Sequence, residues 1–581
     1  MLLTRWRRFV EAQSLRMAHV DALPQLSLMG VLSGLLSGAV IIAFRWIVEI
    51  GAPLLFPMEN SDAFESLGPQ WRMAVAAAGG LAVGWLFHLT QATGRQVGVV
   101  HVIERLNYHQ GRLPLRNAVL QFIGAAVSIV CGHSVGREGP NIHMGATSGS
   151  LLGGTLGLPN NSVRTLVGCG VAAAIGAGFN TPLAGVVFAM EVVLMEYTIV
   201  GFVPIILAAV SATALSRLVF GEQVIFFATV HEWSAINEFL YALFLGCVIG
   251  ILAAIFIRLT LYISATTQNI AIWVRLSIAG IVVGLIAIPA PEVMGIGYDT
   301  ISTALLGELA LFSLAMVAAA KLLATAACIG LGSPGGLIAP SLFIGASAGG
   351  AVGGLIVTLF NDQLSSGAYA IIGMGAMMAA TLQAPMAALL ALLELTANPN
   401  LIMPSMTAVI SAVLVTRVVF GCPSIYQLVL QSRGLDIHSD PLSQSLQRIG
   451  IVRAMNKNFK GSSQLVSRDG AESLLKRSPD WVLVSDENGP AALLPAADLA
   501  LFLEEHTDQI EINLLEIPAK RRDLSHTDLL ASLKDALDLL NESGKEALYV
   551  TARGGGPERI YGVLTREAIE RSYLMKRASA D

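Results

Sequence analysis

The amino-acid sequence predicts a mainly α-helical, polytopic membrane protein with an internal duplication, followed by a smaller soluble α/β domain. Of its 581 residues, 54% are hydrophobic and 13% are charged, whereas ordinary soluble domains carry roughly 25% charged residues. A long sequence pattern recurs about 200 residues after its first appearance. Near residue 430 the composition changes sharply from apolar to charged. The low share of charged residues indicates a membrane bundle, and the change of composition near residue 430 marks the start of a soluble domain.

The membrane part contains long apolar segments that are interrupted by short sequences rich in glycine, proline and polar residues. Between Glu308 and Asp362 the only charged residue is Lys321, which leaves room for two spans of about 20 residues each. Gly-Pro, Asn-Thr-Pro and Ser-Pro-Gly-Gly sequences lie inside or beside apolar segments. We therefore expect helices that begin or end within the bilayer, where protein or a polar cavity must satisfy the backbone. The predicted membrane domain is 26–430, with repeats at 26–220 and 236–430.

Two pairs of sequence blocks define the duplication. Residues 140–154 align with residues 340–354, and residues 180–191 align with residues 383–394. Duplicated transporters bind their substrate near the middle of the membrane, where broken helices of the two repeats meet. Helix N-termini at such places offer free amides and positive dipole ends to anions. The duplication therefore predicts anion transport.

The remaining features of the membrane part limit other functions. Residues 1–25 begin with a basic cluster, Arg5-Trp-Arg-Arg8, and are predicted to form an interfacial helix on the cytoplasmic side. The five cysteines have no paired spacing, which favours buried thiols over disulfides or metal ligands. The sequence has no Ser/His or metal-ligand constellation, so we expect neither an enzyme nor a metal or cofactor site. Nucleic acid is not an expected partner.

Four motifs in the membrane part occur in the order that is characteristic of a known family. They are Gly136-Arg-Glu-Gly-Pro140, Phe179-Asn-Thr-Pro-Leu-Ala-Gly185, Gly335-Gly-Leu-Ile-Ala-Pro340 and Pro423-Ser-Ile-Tyr426. Over about residues 25–430 the chain resembles the CLC family of chloride channels and chloride/proton exchangers. The resemblance implies a bundle of inverted-topology repeats that works as a homodimer, with one pore for chloride and similar anions in each subunit. It also implies a multi-pass protein of a bacterial-type inner membrane, with both termini in the cytoplasm.

The resemblance makes Glu138 the gating glutamate. Because Gly136 and Gly139 flank it, its carboxylate can approach the same amides that an anion would use; the simpler alternative is a carboxylate that caps a helix start. Arg137 belongs to the same predicted anion-binding loop, where we expect it to hold the loop backbone rather than the transported ion.

The second repeat supplies the other expected anion ligands. The backbone amides of its glycine-rich loop have little side-chain obstruction, and the candidates are Gly336, Leu337, Ile338 and Ala339. The family usually has Phe at the position of Ile338. Tyr426 can donate its phenolic O–H to an anion, and its alternative role is that of an aromatic residue at the membrane interface.

The first departure from the family pattern lies at the first anion segment. Gln96-Val-Gly-Val-Val100 stands where the family usually has Gly-Ser-Gly-Ile-Pro, so Val97 replaces the hydroxyl residue. Val97 and Gly98 are possible anion-path positions that supply backbone only. His101 follows closely; it is either structural or a titratable group that tunes the pH response.

The second departure lies at Met190-Glu-Val192. Exchangers of the family typically have two successive acids here, and the second relays protons. Glu191 matches the first acid, and Val192 replaces the second. Glu191 has a repeat counterpart in Glu394, which favours a structural capping or packing role for both. Glu191 and Glu196 are the candidates for any proton path, and the loss of the second acid favours passive or weakly proton-coupled conduction.

The soluble part, residues 437–581, is predicted to be a cytoplasmic regulatory domain with two similar halves. Strands at 481–484, 547–550 and 560–565, a helix at 528–540 and another helix from Glu567 resemble a divergent pair of CBS motifs. The nucleotide sites of that family favour Thr or Ser with Asp three residues later. The first half has Pro495 with Asp498, and the second has Thr565 with Ala568. We therefore expect a dimerising or coupling role rather than adenine-nucleotide binding, and a hairpin loop at 554–556.

Three functional hypotheses follow. The leading one is chloride transport through a glutamate-gated pore, passive or weakly coupled to protons. The second is chloride/proton antiport. The third, from another class, is a membrane sensor in which a vestigial pore serves the soluble domain.

Overall fold

The computed structural model describes residues 23–58, 61–197, 199–221, 226, 237–360, 365–435, 446–447, 449–487, 489–507, 509–552 and 560–578. Most of the predicted N-terminal interfacial helix and the predicted hairpin loop at 554–556 lie outside the described residues. The chain divides into two compact units. The larger comprises residues 23–154 and 163–437, and the smaller contains residues 438–581 with the segment 155–162.

The larger unit is helical, as the composition predicts. Among the described residues, its first repeat contains eight α-helices: α1 Leu23–Leu55, α2 Pro69–His88, α3 Gly98–Tyr108, α4 Leu115–Val130, α5 Glu138–Thr155, α6 Asn160–Phe179, α7 Pro182–Phe188 and α8 Ile199–Phe220. The second repeat contains α9 Asn237–Thr267, α10 Ile272–Ile286, α11 Tyr298–Leu306, α12 Leu311–Leu331, α13 Ile338–Phe360, α14 Ser366–Leu382, α15 Pro385–Thr396 and α16 Ile402–Leu414. A short helix, α17 Ile425–Ser432, follows the second repeat. The helices α1–α8 and α9–α16 therefore correspond one to one.

Corresponding helices of the two repeats also pack alike. Helices α5 and α6 cross so closely that a Cβ on Gly145 would lie 2.2 Å from the carbonyl oxygen of Gly170. At the equivalent crossing of α13 and α14, a Cβ on Gly345 would lie 2.4 Å from the carbonyl oxygen of Gly373. Small residues permit such close backbone contact in lipid, where packing rather than apolar burial drives helix association. The glycine-rich blocks seen in the sequence are thus helix-crossing points.

Helix length and composition fit a membrane-spanning unit. Within the described residues, seven helices are long and apolar enough to cross a membrane. Shorter apolar helices accompany them, including α4, α10 and α14. These helices agree with the prediction of a multi-pass membrane protein, and two further short helices, α7 and α15, each begin at a proline.

The smaller unit is an α/β domain with one main sheet. Its strands are β1 Phe459–Ser463, β2 Leu465–Ser467, β3 Trp481–Asp486, β4 Gly489–Pro495, β5 Glu511–Asn513, β6 Arg522–Asp528, β7 Ala547–Thr551 and β8 Ile560–Thr565. Its helices are α18 Arg468–Leu475, α19 Ala496–Glu505, α20 Leu533–Ser543 and α21 Arg566–Ala578. The six-stranded sheet has the order β1-β3-β4-β6-β7-β8, and a second sheet pairs β2 with β5.

The two halves of this sheet repeat one pattern. Strand β1 pairs parallel with β3, which pairs antiparallel with β4; likewise β6 pairs parallel with β7, which pairs antiparallel with β8. This pattern is compatible with the predicted CBS-like pair. The helix predicted at 528–540 begins later, at Leu533, because the Ser532 hydroxyl and the Asp535 carboxylate form a capping box there.

Candidate anion site

Two loops, one from each repeat, meet at the centre of the larger unit. The amide of Gly136 donates to the carbonyl of Gly336 at 3.0 Å, and the amide of Gly336 donates to the carbonyl of Gly136 at 2.7 Å. The pairing is antiparallel, as expected for two equivalent loops that run in opposite directions. Helix α5 begins two residues after Gly136, and α13 begins two residues after Gly336. The site is therefore built from two helix N-termini whose preceding loops pair with each other.

Glycine is required in these loops because the chains almost touch. A Cβ on Gly336 would lie 2.5 Å from the amide nitrogen of Gly139. A Cβ on Gly335 would lie 2.2 Å from the Cβ of Val135. Neither contact can be relieved by turning a flexible side chain, so the glycines are required by the close approach of the loops.

The carboxylate of Glu138 occupies the start of the opposite repeat's helix. Its Oε1 accepts a hydrogen bond from the amide of Ala339 at 2.7 Å, and Ala339 is in the first turn of α13. The side chain is completely buried, and its Oε2 has no hydrogen-bond partner among the described residues. The Glu138 carboxyl group thus occupies the Ala339 amide, one of the amides that the sequence assigned to an anion.

The other predicted ligands of the second repeat surround this carboxylate. Leu337, Ile338 and Ala339 are all buried, and their backbone forms the start of α13. Tyr426, on α17, is 5% exposed and lies close enough to Glu138 for the two side chains to interact electrostatically. Tyr426 is therefore a buried side chain of the larger unit, and its role as an anion ligand stays a prediction.

The first anion segment forms a helix N-terminus without a side-chain cap. Helix α3 begins at Gly98, and Val97 at its N-cap makes no side-chain hydrogen bond to it. Gly98 has φ of +81°, and a Cβ there would meet no atom within 4 Å. The role of Val97 and Gly98 as anion-path positions stays a prediction.

Arg137 lines a cavity together with Glu49 of α1. Its Nη1 lies 3.4 Å from Oε1 of Glu49, and its guanidinium lies 5.3 Å from the ring centroid of Phe179. The cavity has a volume of about 220 Å³, and Arg45 and Arg217 also line it. The Glu49 contact is of the carboxylate kind that we expected for Arg137, and its role in holding the loop backbone stays a prediction.

Glu191 and Glu394 cap helices in each other's repeats. The Glu191 carboxylate accepts from the amides of Met386 at 3.3 Å and Ala387 at 2.8 Å, at the start of α15. The Glu394 carboxylate accepts from the amides of Leu183 at 2.9 Å and Ala184 at 2.8 Å, at the start of α7. The geometry is that of the structural capping role that the duplication predicts.

The other proton-path positions have different surroundings. Glu196 pairs with Arg164 at 3.2 Å. Val192 is buried and lies in a π-helical segment, Ala189–Leu194, that also contains Glu191. Single-turn π-helices within α-helices often mark functional sites. The repeat counterpart of Glu191, Glu394, lies in the ordinary α-helix α15. The duplication therefore gave no signal for a π-helical segment.

Two buried groups near the site were not identified from the sequence. The Nε2 atom of His143, on α5, is 3.0 Å from Nδ1 of His101. The sequence analysis considered only His101 as a titratable residue. Lys321 is completely buried, and its Nζ donates to the carbonyls of Val293 and Gly295 at 3.0 Å each. An isolated charge in a long apolar segment is a functional signal in membrane proteins. Lys321 has this signal, because it is the only charged residue between Glu308 and Asp362.

Paired inverted repeats, broken helices and buried helix N-termini around a carboxylate define a membrane transport protein for anions. A family model described as voltage gated chloride channel matches residues 79–417. The chain is 32% identical over 372 residues to the putative chloride channel protein ClcB-like of Ralstonia nicotianae, which covers 62% of this chain and 86% of that relative. The chain therefore belongs to the CLC family, as its motifs predict.

Solved structures share the fold. A slow cyanobacterial Cl⁻/H⁺ antiporter is similar with a TM-score of 0.62 and 24% identity, covering 71% of this chain and 98% of that one. A eukaryotic CLC transporter is similar with a TM-score of 0.58 and 20% identity, covering 95% of this chain and 99% of that one. The second similarity extends into the C-terminal sheet domain. The predicted fold class is thereby confirmed.

Proposed function

We propose that the protein conducts chloride and similar small anions through a pathway in each subunit of a homodimer in a bacterial-type inner membrane. Glu138 gates this pathway, and conduction is passive or weakly coupled to protons. The observation that carries the proposal is the 2.7 Å contact between the Glu138 carboxylate and the Ala339 amide. Because the carboxylate and an anion compete for the same helix N-terminus, protonation of Glu138 frees the amides for chloride.

The ligands on the second repeat and α17 complete the pathway. The backbone of Gly336, Leu337, Ile338 and Ala339 forms the second helix start of the pathway, where the Ala339 amide becomes available to an anion once the Glu138 carboxylate leaves it, and Tyr426 adds a phenolic donor. The N-terminus of α3 at Val97 and Gly98 supplies backbone amides alone. Two separated helix N-termini allow an anion to move in steps between sites of moderate strength, which conduction requires.

We favour weak proton coupling because of the residues at the positions of the predicted proton path. Val192 has no proton to exchange, Glu191 is engaged by two amides and Glu196 is paired with Arg164. Chloride/proton antiport is the second candidate. Glu138 favours it, because a carboxylate that binds protons and excludes anions from one site can couple the two movements. A solved Cl⁻/H⁺ antiporter has a similar fold, which also supports this second candidate.

The experiment is a paired flux measurement on purified protein in liposomes. The liposomes are loaded with potassium chloride, and valinomycin starts efflux at a defined membrane potential while chloride and proton electrodes record together. We expect chloride efflux far above that of protein-free liposomes, and a much smaller proton flux. Tyr426→Phe, which keeps the ring and removes the hydroxyl, serves as a matched variant and should slow chloride efflux. Absence of chloride efflux from folded protein would contradict the proposed function.

A further inference from the structure

The turn between helices α5 and α6 belongs to the smaller compact unit, although the two helices that it joins extend into the larger one. Segment 155–162 clusters with residues 438–581, and it contains the last residue of α5, Thr155, and the first residue of α6, Asn160. The Asn160 side chain is buried. Helix α5 begins at Glu138. The smaller unit therefore contains the far end of the helix that carries the carboxylate of the candidate anion site.

Two hydrogen bonds within this unit join the turn to the C-terminal residues. The backbone amide of Asn160 donates to the carbonyl of Leu530 at 3.0 Å, and its side-chain Nδ2 donates to Oδ2 of Asp535 at 3.2 Å. The first amides of a helix have no acceptor within that helix, so Leu530 satisfies an amide that α6 cannot. An ionised carboxylate only accepts hydrogen bonds, which makes the Asn160 side chain the donor. The turn is thus held by its backbone and by its side chain.

The Asp535 oxygen that binds the turn also caps helix α20. Its Oδ2 accepts from the backbone amide of Ser532 at 2.8 Å and from the Ser532 hydroxyl at 2.9 Å, within the capping box that begins α20. One carboxylate oxygen therefore holds the start of α20 and the start of α6. A rearrangement of the first turn of α20 would change the acceptor of Asn160 directly.

Close packing along α5 leaves little freedom between its two ends. A Cβ on Gly149 would lie 2.0 Å from the carbonyl oxygen of Leu166 on α6, and a Cβ on Gly139 would lie 2.8 Å from the carbonyl oxygen of Gly335. Packed cores and interfaces change between discrete arrangements rather than deform continuously, so small shifts at one place can be transmitted to another. A shift of the turn therefore has to displace α5 together with α6, and it reaches the loop that carries Glu138.

We propose that the turn at 155–162 is a coupling element through which the C-terminal residues stabilise the closed contact between Glu138 and Ala339. Asn160 is a positioning residue in this device. Loss of its bond to Asp535 releases the end of α5, weakens the Glu138–Ala339 hydrogen bond and leaves the Ala339 amide more available to chloride. The effect on flux rests on the proposed function, whereas the attachment of the turn can be measured without any transport.

Hydrogen exchange of the full-length protein, followed by mass spectrometry, measures the attachment of the turn. Asp535→Ala should speed exchange in the peptide that covers residues 155–162 on the order of tenfold, as expected for one lost hydrogen bond to a charged group. Asp538→Ala, which removes another carboxylate of α20 that pairs with Lys534, should leave this peptide unchanged. Ser532→Ala weakens the cap but keeps the Asp535 acceptor, so its effect should be smaller than that of Asp535→Ala. Unchanged exchange at 155–162 in folded Asp535→Ala protein would overturn the proposal.

Chloride efflux from liposomes at about pH 8, where ionised Glu138 competes with the anion, tests the consequence. Asn160→Ala leaves the α20 capping box intact, and we expect its efflux to exceed that of the wild type about 2-fold or more, the lower end of coupling effects. Adding Asn160→Ala to Asp535→Ala should change nothing further, because both remove the same bond.

The Glu138→Gln background shows whether the effect acts through the gate. Asn160→Ala should leave the efflux of Glu138→Gln protein unchanged, since no carboxylate remains to compete with chloride. An increase of the same size in that background would contradict the proposal, and so would wild-type efflux in folded Asn160→Ala protein. Absence of chloride efflux from the unmodified protein would instead contradict the proposed function, and the hydrogen-exchange result would stand apart from it.

Discussion

Glu191 and Glu394 cap each other's helices. Each carboxylate accepts hydrogen bonds from the first amides of the helix that carries or leads to the other glutamate. Glu191 follows α7 and caps α15, while Glu394 lies on α15 and caps α7. A carboxylate at a helix N-terminus satisfies free amides and interacts favourably with the positive end of the helix dipole. The exchange therefore ties the two repeats together at a point that is equivalent in both.

The exchanged caps predict matched losses of stability. Glu394→Ala and Glu191→Ala each leave two amides without their acceptor, and we expect each to destabilise the protein by about 1–3 kcal/mol. Glu394→Gln and Glu191→Gln keep one of the two oxygen acceptors and place an NH2 group against the other amide, so each should be destabilised, but less than the corresponding alanine variant. Thermal unfolding in detergent, followed by size-exclusion chromatography, measures the order of the four variants.

The symmetry of the caps also separates capping from proton relay. If Glu191 acts only as a cap, Glu191→Gln and Glu394→Gln will leave the ratio of proton to chloride flux equally unchanged. A selective fall of that ratio in Glu191→Gln would show that Glu191 carries protons as well. Glu394 is the control because it has the same contacts in the other repeat.

Sequence patterns predicted the parts of the site that are read from short, local signals. Glycine and proline punctuation identified the loops at Gly136 and Gly336, since close backbone approach tolerates no side chain there. The duplication placed Glu191 opposite Glu394. The His101–His143 contact could not be predicted, because it joins residues 42 positions apart through the crossing angle of two helices. The late start of α20 at Leu533 also depended on a cap that competes with helical periodicity.

Glu138 should control how chloride flux responds to pH. In the wild type, rising pH deprotonates the carboxylate, which then competes with chloride for the Ala339 amide and lowers the flux. Glu138→Gln is neutral at every pH, so its flux should stay high at alkaline pH; Glu138→Ala should behave alike. The test is chloride efflux from liposomes between about pH 5 and pH 8, a range over which buried carboxyl groups can change protonation. Glu191→Gln is the matched control and should keep the wild-type response. The gating assignment is wrong if Glu138→Gln keeps it too.

Removal of the C-terminal unit should leave anion selectivity unchanged. A stop codon after Ile437 retains every helix that contributes a predicted ligand, since α17 ends at Ser432. The six-stranded sheet and its hydrophobic clusters are removed together, while the segment 155–162 is retained. We expect altered regulation or a less stable dimer, with an unchanged ratio of chloride to nitrate flux. A folded truncated protein with a strongly shifted ratio would mean that the C-terminal unit contributes to the anion pathway.

The position of Val192 predicts weak coupling. It is buried in the π-helical segment directly after Glu191, where an exchanger of this family typically has a proton-relaying acid. A buried carboxylate is expensive unless it is paired or neutral, so its absence indicates that no inner relay has been kept at this position. An outward chloride gradient should therefore drive little uphill proton movement into or out of liposomes, far below a fixed ratio of protons to chloride. Val192→Glu tests the same position in the other direction, and an increase in proton flux would show that a water path to Glu138 survives. The deciding measurement remains the unmodified protein: robust, stoichiometric proton movement against a gradient would establish an exchanger. In that case Glu191→Gln and Glu196→Gln, measured in the same liposomes, would identify which carboxylate replaces the missing acid.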